Sequence, residues 1–121
     1  MTLAAGFETL DLAFLGQREV IATALLQGRD GVALVDPGPS TTLATLTDLL
    51  GARGVAPGDV RAVLITHIHL DHAGACGLAA ERWPDAVFFV HERGSGHMAD
   101  PSKLLASASR LYGADMDRLW G

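Results

Sequence analysis

Residues 63–74 read VLITHIHLDHAG, an apolar strand pattern that runs directly into a cluster of histidines. The hexad HIHLDH, residues 67–72, contains three of the chain's five histidines and one carboxylate. Imidazole and carboxylate are ligands that divalent zinc, iron and manganese accept. On an extended backbone His67 and His69 project to the same side, and a strand that bends into a helix here brings all four side chains together. The candidate metal ligands are His67, His69, Asp71 and His72. The alternative is that a surface loop merely tolerates these histidines.

Strand and helix patterns alternate on both sides of the hexad. Strands are predicted at 7–15, 20–27, 32–35, 60–66 and 87–90, and helices after a cap at Ser40, at 73–82 and at 101–112. The turn GRDG at 28–31 indicates an antiparallel hairpin. This order predicts an α/β fold with a mixed sheet, an antiparallel start and helices on one face. Ligands of such folds collect beyond the carboxyl ends of strands, where the hexad lies.

Length and composition favour a single globular domain, residues 1–121, in which 49% of the residues are apolar. The net charge of −5, from 14 acidic and 9 basic residues, argues against binding of nucleic acid through a basic patch. Cys76 has no second cysteine to pair with. The amino terminus lacks the pattern of a signal peptide, and no apolar run approaches the roughly 20 residues that span a bilayer. We therefore expect a cytoplasmic protein without a membrane partner.

Two motifs resemble those of a known family. THIHLDHAG, residues 66–74, is similar to the HxHxDH motif of the metallo-β-lactamase superfamily of metallo-hydrolases. LVDPG, residues 34–38, resembles that family's first motif, a strand that ends in an aspartate and a glycine turn. The resemblance extends from Gly6 onward and implies the amino-terminal half of an αββα sandwich. It also implies that Gly38 and Gly74 let the backbone turn close to the site.

The resemblance assigns roles to these residues. It implies that His67 and His69 bind one metal and that Asp71 and His72 bind a second, most simply zinc, with iron or manganese as alternatives. A water held by the metals then attacks an ester, thioester, amide or phosphodiester in a small-molecule substrate, and Asp71 handles the proton. Asp36 is expected in the outer shell of the site. Its alternative role is that of a turn-capping aspartate before Pro-Gly.

In one respect the chain departs from the family pattern. The family's remaining metal ligands come from the second half of the sandwich, and their motifs are not found in these 121 residues. His91, at the end of a predicted strand, is a possible extra ligand, and His97 a weaker one. Alternatively, Asp71 and His72 turn toward the first metal and complete a single four-ligand site. In each case the site is incomplete by the family pattern.

The apolar side chains Met116, Leu119 and Trp120 recur at helical spacing near the end of the sequence and need a cover. They either fold back on the sheet or indicate a partner, which we expect to be a second half-domain or another copy in a homo-oligomer. Three functions remain open at this stage. They are a metal-dependent hydrolase, a non-catalytic metal-binding or self-assembling half-domain, and a structural fragment with incidental histidines.

Overall fold

The computed structural model describes residues 2–4, 6–92, 94, 96, 100 and 102–120. Six strands form one sheet in sequential order: β1 (Thr2–Ala4), β2 (Phe7–Asp11), β3 (Ala22–Gly28), β4 (Gly31–Val35), β5 (Val60–Leu64) and β6 (Val87–Phe89). The α-helices are α1 (Leu43–Ala52), α2 (Leu70–Ala73), α3 (Cys76–Arg82), α4 (Ser102–Tyr112) and α5 (Met116–Leu119). No helix in these ranges is long and apolar enough to cross a membrane.

The sheet is mixed. Strands β1 to β4 pair antiparallel, and β3 joins β4 through the predicted turn, in which Gly28 pairs with Gly31. Strands β5 and β6 then run parallel to β4, because α1 and α3 carry the chain back to the same edge each time. The predicted α/β class with an antiparallel start is confirmed.

A single hydrophobic core lies on one face of the sheet. Alternation along the strands directs Leu34 and Val63 into this core and the residues beside them to the opposite face. The helices contribute Leu46 and Leu50 from α1 and Trp83 just after α3. The leucine stripe predicted for α1 therefore does lie in the core of the sheet.

The opposite face of the sheet is apolar and exposed among the described residues. Leu64, Val87 and Phe89 are 36%, 56% and 54% exposed, and they occupy neighbouring positions on β5 and β6. We call these three side chains the open sheet face. Contiguous apolar surface of this kind is typical of protein surfaces that meet another structure.

Several predicted bounds differ from the structure. The strand predicted at 60–66 ends at Leu64, and the helix predicted at 73–82 is replaced by α2 and α3, which are separate helices. Two further differences have a clear cause in side-chain hydrogen bonds. The strand predicted at 7–15 ends at Asp11, because the Asp11 carboxylate accepts hydrogen bonds from the backbone N–H groups of Ala13 and Glu19 and organises a turn. These bonds also lower the pKa of Asp11. Ser40 makes no helix cap, since its hydroxyl donates to the carbonyl oxygen of Gly74 instead.

Candidate metal centre

The hexad lies at the carboxyl end of the central parallel strand. Strand β5 ends at Leu64, and the backbone N–H of Ile65 still donates to the carbonyl oxygen of Phe89. The chain then leaves the sheet, and α2 begins at Leu70, directly after His69. Because five residues, 65–69, separate the end of the strand from the start of the helix, the chain turns within the hexad and brings its side chains close together.

The turn after β4 is hydrogen-bonded to the last residue of the hexad and to the chain that follows it. The N–H of Gly38 donates to the carbonyl oxygen of His72 over 3.0 Å, and the N–H of Ala75 donates back to the carbonyl oxygen of Gly38 over 2.8 Å. Gly38 has φ +83°, and a Cβ there would lie 2.6 Å from Cδ1 of the buried Leu12. A Cβ on Gly74 would lie 2.5 Å from the carbonyl oxygen of Leu70. A side chain would therefore clash at both positions, at Gly38 with Leu12 and at Gly74 with the backbone of Leu70.

The hexad side chains form one cluster. The ring centroids of His67 and His69 are 4.9 Å apart, and those of His67 and His72 are 3.9 Å apart. Oδ2 of Asp71 lies 3.3 Å from Nε2 of His72. Potential ligand atoms of Asp36, His67 and His72 all lie within 4.8 Å of one another. Such a set of nitrogen and oxygen donors fits a divalent transition metal.

A chain of hydrogen bonds orients two of these rings. Oδ2 of Asp36 lies 2.9 Å from Nδ1 of His72, and it also accepts the Thr66 hydroxyl over 2.6 Å. That hydroxyl lies 3.0 Å from Nδ1 of His67. Since the carboxylate can only accept, and the Thr66 proton is already given to it, both Nδ1 atoms carry hydrogen. In these tautomers the Nε2 atoms of His67 and His72 are the ring nitrogens that could bind metal ions.

The sequence profile of the Metallo-beta-lactamase superfamily matches residues 17–117, which include the hexad and the turn at Asp36. This chain belongs to the metallo-β-lactamase superfamily. The resemblance drawn from residues 34–38 and 66–74 is confirmed. The members of this superfamily are generally metal-dependent hydrolases, and the donor cluster at the end of β5 is consistent with that property.

Relatives within the superfamily match the chain over part of their own length. The Metallo-beta-lactamase domain-containing protein 1 of Rattus norvegicus is 44% identical over 68 residues, which are 56% of this chain and 26% of the relative. Its Homo sapiens counterpart is 46% identical over 67 residues, 55% of this chain and 24% of the relative. The chain thus spans about a quarter of these relatives.

Solved metallo-β-lactamase structures share the fold. A Cronobacter sakazakii metallo-beta-lactamase, a HARLDQ motif mutant, superposes with a TM-score of 0.70 at 23% identity, over 82% of this chain and 36% of that one. The metallo-beta-lactamase SMB-1 in complex with mercaptoacetic acid gives a TM-score of 0.69 at 22% identity, over 80% and 35%. The chain corresponds to the amino-terminal part of the superfamily's domain.

Asp36 of this superfamily member is suited to an outer-shell position. Asp36 is 7% exposed, and its carboxylate already accepts hydrogen bonds from the Thr66 N–H, from the Thr66 hydroxyl and from His72. A carboxylate engaged in this way orients the metal ligands instead of replacing one of them. Asp36 also belongs to the group whose ligand atoms lie within 4.8 Å of one another, so its outer-shell role and the assignment of each ligand to a metal both stay predictions.

Thr66 is the site residue that the sequence reading missed. It was assigned only to the end of a strand, yet its backbone and hydroxyl connect Asp36 to His67. The one sequence feature that could have indicated this role is that a hydroxyl residue directly precedes the first histidine of the hexad. Its partner lies 30 residues earlier in the chain, so the pairing is visible only after folding.

Of the two histidines considered as extra ligands, only His91 is among the described residues. His91 is exposed and follows β6, and it does not belong to the group of Asp36, His67 and His72. His97 lies outside the described residues.

Cys76, near the hexad in sequence, is buried, and this burial, with the Asp36 charge, raises the pKa of its thiol to about 12. A thiol held in its protonated form is a poor metal ligand.

Proposed function

We propose that this chain carries the ligand-bearing part of a metal-dependent hydrolase that cleaves an ester, thioester, amide or phosphodiester bond in a small molecule. The observation that carries the proposal is the hydrogen-bonded cluster in which Asp36 and Thr66 orient His67 and His72. An incidental set of surface histidines has no reason to share a buried carboxylate. The structural-fragment alternative is therefore the weakest of the three.

In this proposal His67 and His69 would hold one divalent metal, and Asp71 and His72 would hold a second. Zinc is the first choice for this donor set, with iron and manganese as alternatives. When bound, such a metal lowers the pKa of a coordinated water to about 7 and so supplies a nucleophile at neutral pH. Hydrolysis adds the hydroxyl of water to the acyl or phosphoryl centre and breaks the bond to the leaving group. Asp71, the half-exposed carboxylate of the cluster, transfers the remaining proton of the water to that group.

Two protein ligands for each metal are fewer than the three that a catalytic zinc commonly has. We propose that further ligands come from a second half-domain or from another copy of the chain. The open sheet face supports this step, because Val87 and Phe89 are each more than half exposed on the face opposite the core. Covering such side chains stabilises an assembly by removing apolar surface from water.

The test is the metal content of the purified protein, measured by elemental analysis together with isothermal titration with zinc. Wild-type protein should bind divalent metal stoichiometrically, and the double variant His67→Ala/His69→Ala should lose at least one equivalent. His91→Ala is the control, because it also removes an imidazole but lies outside the donor cluster. Equal zinc binding by wild type and the double variant would rule the proposal out.

A non-catalytic metal-binding or self-assembling half-domain is the second candidate, and the open sheet face is the observation that favours it. Multi-angle light scattering of wild type and Phe89→Glu tests the assembly, because a charge on this face opposes its burial. Leu78→Glu is a matched control, since Leu78 is 51% exposed on α3 and lies outside the open sheet face. Wild-type protein should form dimers that only Phe89→Glu dissociates. A concentration-independent wild-type monomer would contradict self-assembly.

A further inference from the structure

A groove of about 560 Å³ lies at the end of the sheet opposite the hexad, beside the amino ends of β4, β5 and β6. Its floor is apolar. Leu26 pairs with Ala33, Ala33 with Ala62, and Ala62 with Val87, so the floor is one row of side chains across four strands. Paired residues point to the same face of a sheet. Because Val87 belongs to the open sheet face, the groove continues that face toward the amino ends of the strands.

Four charged side chains border the groove, two on each side. Arg29 and Asp30 lie in the turn between β3 and β4, and we call them the turn flank. Arg61 is the second residue of β5, and Asp85 precedes β6; we call these two the strand flank. All four are exposed, and within the described part of the chain none of them is in an ion pair. Each flank thus carries one charge of each sign.

This distribution of charge is complementary to itself. In a two-fold symmetric contact, each residue of one copy meets the same partner residue from both sides of the axis. An axis that runs along the strands between β4 and β5 places the turn flank of one copy opposite the strand flank of the other. Arg29 then meets Asp85 of the partner subunit, and Asp30 meets Arg61 of the partner subunit. Both pairs join opposite charges, and each pair occurs twice. A cover of unrelated sequence does not require this match between the two flanks of one chain.

We propose that two copies of this chain pack face to face through the groove and the open sheet face, about this axis. The inference rests on the proposed function and specifies its partner as a second copy of the chain. The apolar floor and the open sheet face supply the burial, and the two flanks fix the direction in which the sheets face each other.

The direction of packing has a consequence for the metal centre. Sheets that pack in the aligned way keep their strand directions within about 30° and lie about 10 Å apart. Because the axis runs along the strands, the carboxyl ends of both β5 strands lie at the same edge of the dimer, and so do both hexads. His67 and His69 are exposed and lie beside the metal loop of the other copy. Each copy can thus supply ligands that the other lacks, which makes zinc binding and dimerisation depend on each other.

The test is an exchange of charges across the interface. Sedimentation equilibrium in the presence of zinc gives the dimer Kd for wild type, Arg29→Asp, Asp85→Arg and the double variant. Each single variant should weaken dimerisation at least about tenfold, because it places like charges opposite each other twice in the dimer. The double variant should return to within about threefold of wild type, since its pairs are again of opposite sign. Asp48→Arg is the control and should dimerise as wild type, because Asp48 is exposed on α1 and does not line the groove.

Restored dimerisation in the double variant also shows that the single changes leave the fold intact. A monomeric wild type, single variants that dimerise as tightly as wild type, or a double variant as weak as the single ones would overturn the inference.

Zinc affinity of the same proteins, measured by competition with a chelator, separates this inference from the proposed function. Asp85→Arg should bind zinc about tenfold more weakly than wild type, although Asp85 lies at the other end of the sheet from the hexad, and the double variant should recover. Unchanged zinc affinity in variants that no longer dimerise overturns the shared edge and leaves the metal centre standing. A charge-dependent dimer that binds no zinc overturns the hydrolase proposal instead.

Discussion

Replacing Thr66 by valine removes one hydroxyl from the metal centre and keeps the branched shape of the side chain. The backbone N–H of Thr66 still donates to Oδ1 of Asp36, so this bond over 2.8 Å survives. The contacts that disappear are the hydroxyl's bond to Oδ2 of Asp36 and its contact with Nδ1 of His67. The carboxylate is left with one fewer donor, and the His67 ring with no acceptor at Nδ1 from this residue.

The expected loss of zinc affinity is about 10-fold to 100-fold, the range that follows removal of an outer-shell partner from a metal-bound histidine. That corresponds to about 1.4–2.8 kcal/mol of binding free energy. The free energy of unfolding of the metal-free protein should fall by less, about 1 kcal/mol, because Thr66 is exposed and water can replace part of the lost bond. Metal affinity should therefore change more than stability.

Competition with a chromophoric zinc chelator at pH 7 measures the affinity, and urea unfolding in excess chelator measures the stability. Thr66→Ser keeps the hydroxyl and should bind zinc within about threefold of wild type. Thr47→Val is a control for hydroxyl loss elsewhere, since Thr47 bonds the carbonyl oxygen of Leu43 within α1. Equal zinc affinity of Thr66→Val and wild type, or equal weakening by the serine and valine variants, would refute the role given to this hydroxyl.

Three further outcomes are expected. Leu46→Ala should lower the free energy of unfolding by about 2–5 kcal/mol in urea titration, because Leu46 is fully buried under the sheet, and a loss below 1 kcal/mol would contradict that packing. Gly38→Ala should lower the free energy of unfolding by about 1–3 kcal/mol, because Gly38 has a positive φ and a Cβ there would approach Leu12 closely. Gly51→Ala in α1 is the control and should be neutral or stabilising, since nothing lies near a Cβ at that position. An unchanged free energy of unfolding for Gly38→Ala would argue against the close turn. Cys76 should react with a thiol reagent at pH 8 about a thousandfold more slowly in the folded protein than in urea, because its pKa is raised from 9.0 to about 12; comparable rates would contradict its burial.

The layered fold and the position of the hexad at the end of a strand were predictable because both depend on local patterns. The turn at 28–31 specifies a hairpin, the leucine spacing of α1 specifies which face meets the sheet, and the break at Asp36-Pro37-Gly38 specifies where β4 ends. Parallel pairing of β5 and β6 then places the hexad at the carboxyl edge. The turn, the leucine spacing and the Asp-Pro-Gly break each use residues close together in the sequence, whereas the parallel pairing follows from the alternation of strands with helices.

Features that depend on distant residues were not predictable in the same way. Asp11 lies in a strand pattern, and the local sequence does not indicate that its carboxylate accepts a hydrogen bond from the N–H of Glu19, eight residues later, where β2 ends. Ser40 looked like a helix cap because the cap rule is local, but Gly74 competes for its hydroxyl from 34 residues away. The docking of Trp120 on Phe14 likewise joins the two ends of the chain. In each case a tertiary contact replaced a local preference.

Asp36 shows how a local backbone conformation and tertiary contacts combine. It has φ +56°, a left-handed conformation that an aspartate adopts at a cost of about 1–2 kcal/mol in the absence of compensating bonds. Here its own N–H donates to the carbonyl oxygen of Leu64, and its carboxylate receives the Thr66 and His72 donors. Several hydrogen bonds to a nearly buried carboxylate are worth more than that cost. The hydrogen bonds from Thr66 and His72 therefore stabilise the left-handed turn at the end of β4 and couple its geometry to that of the hexad.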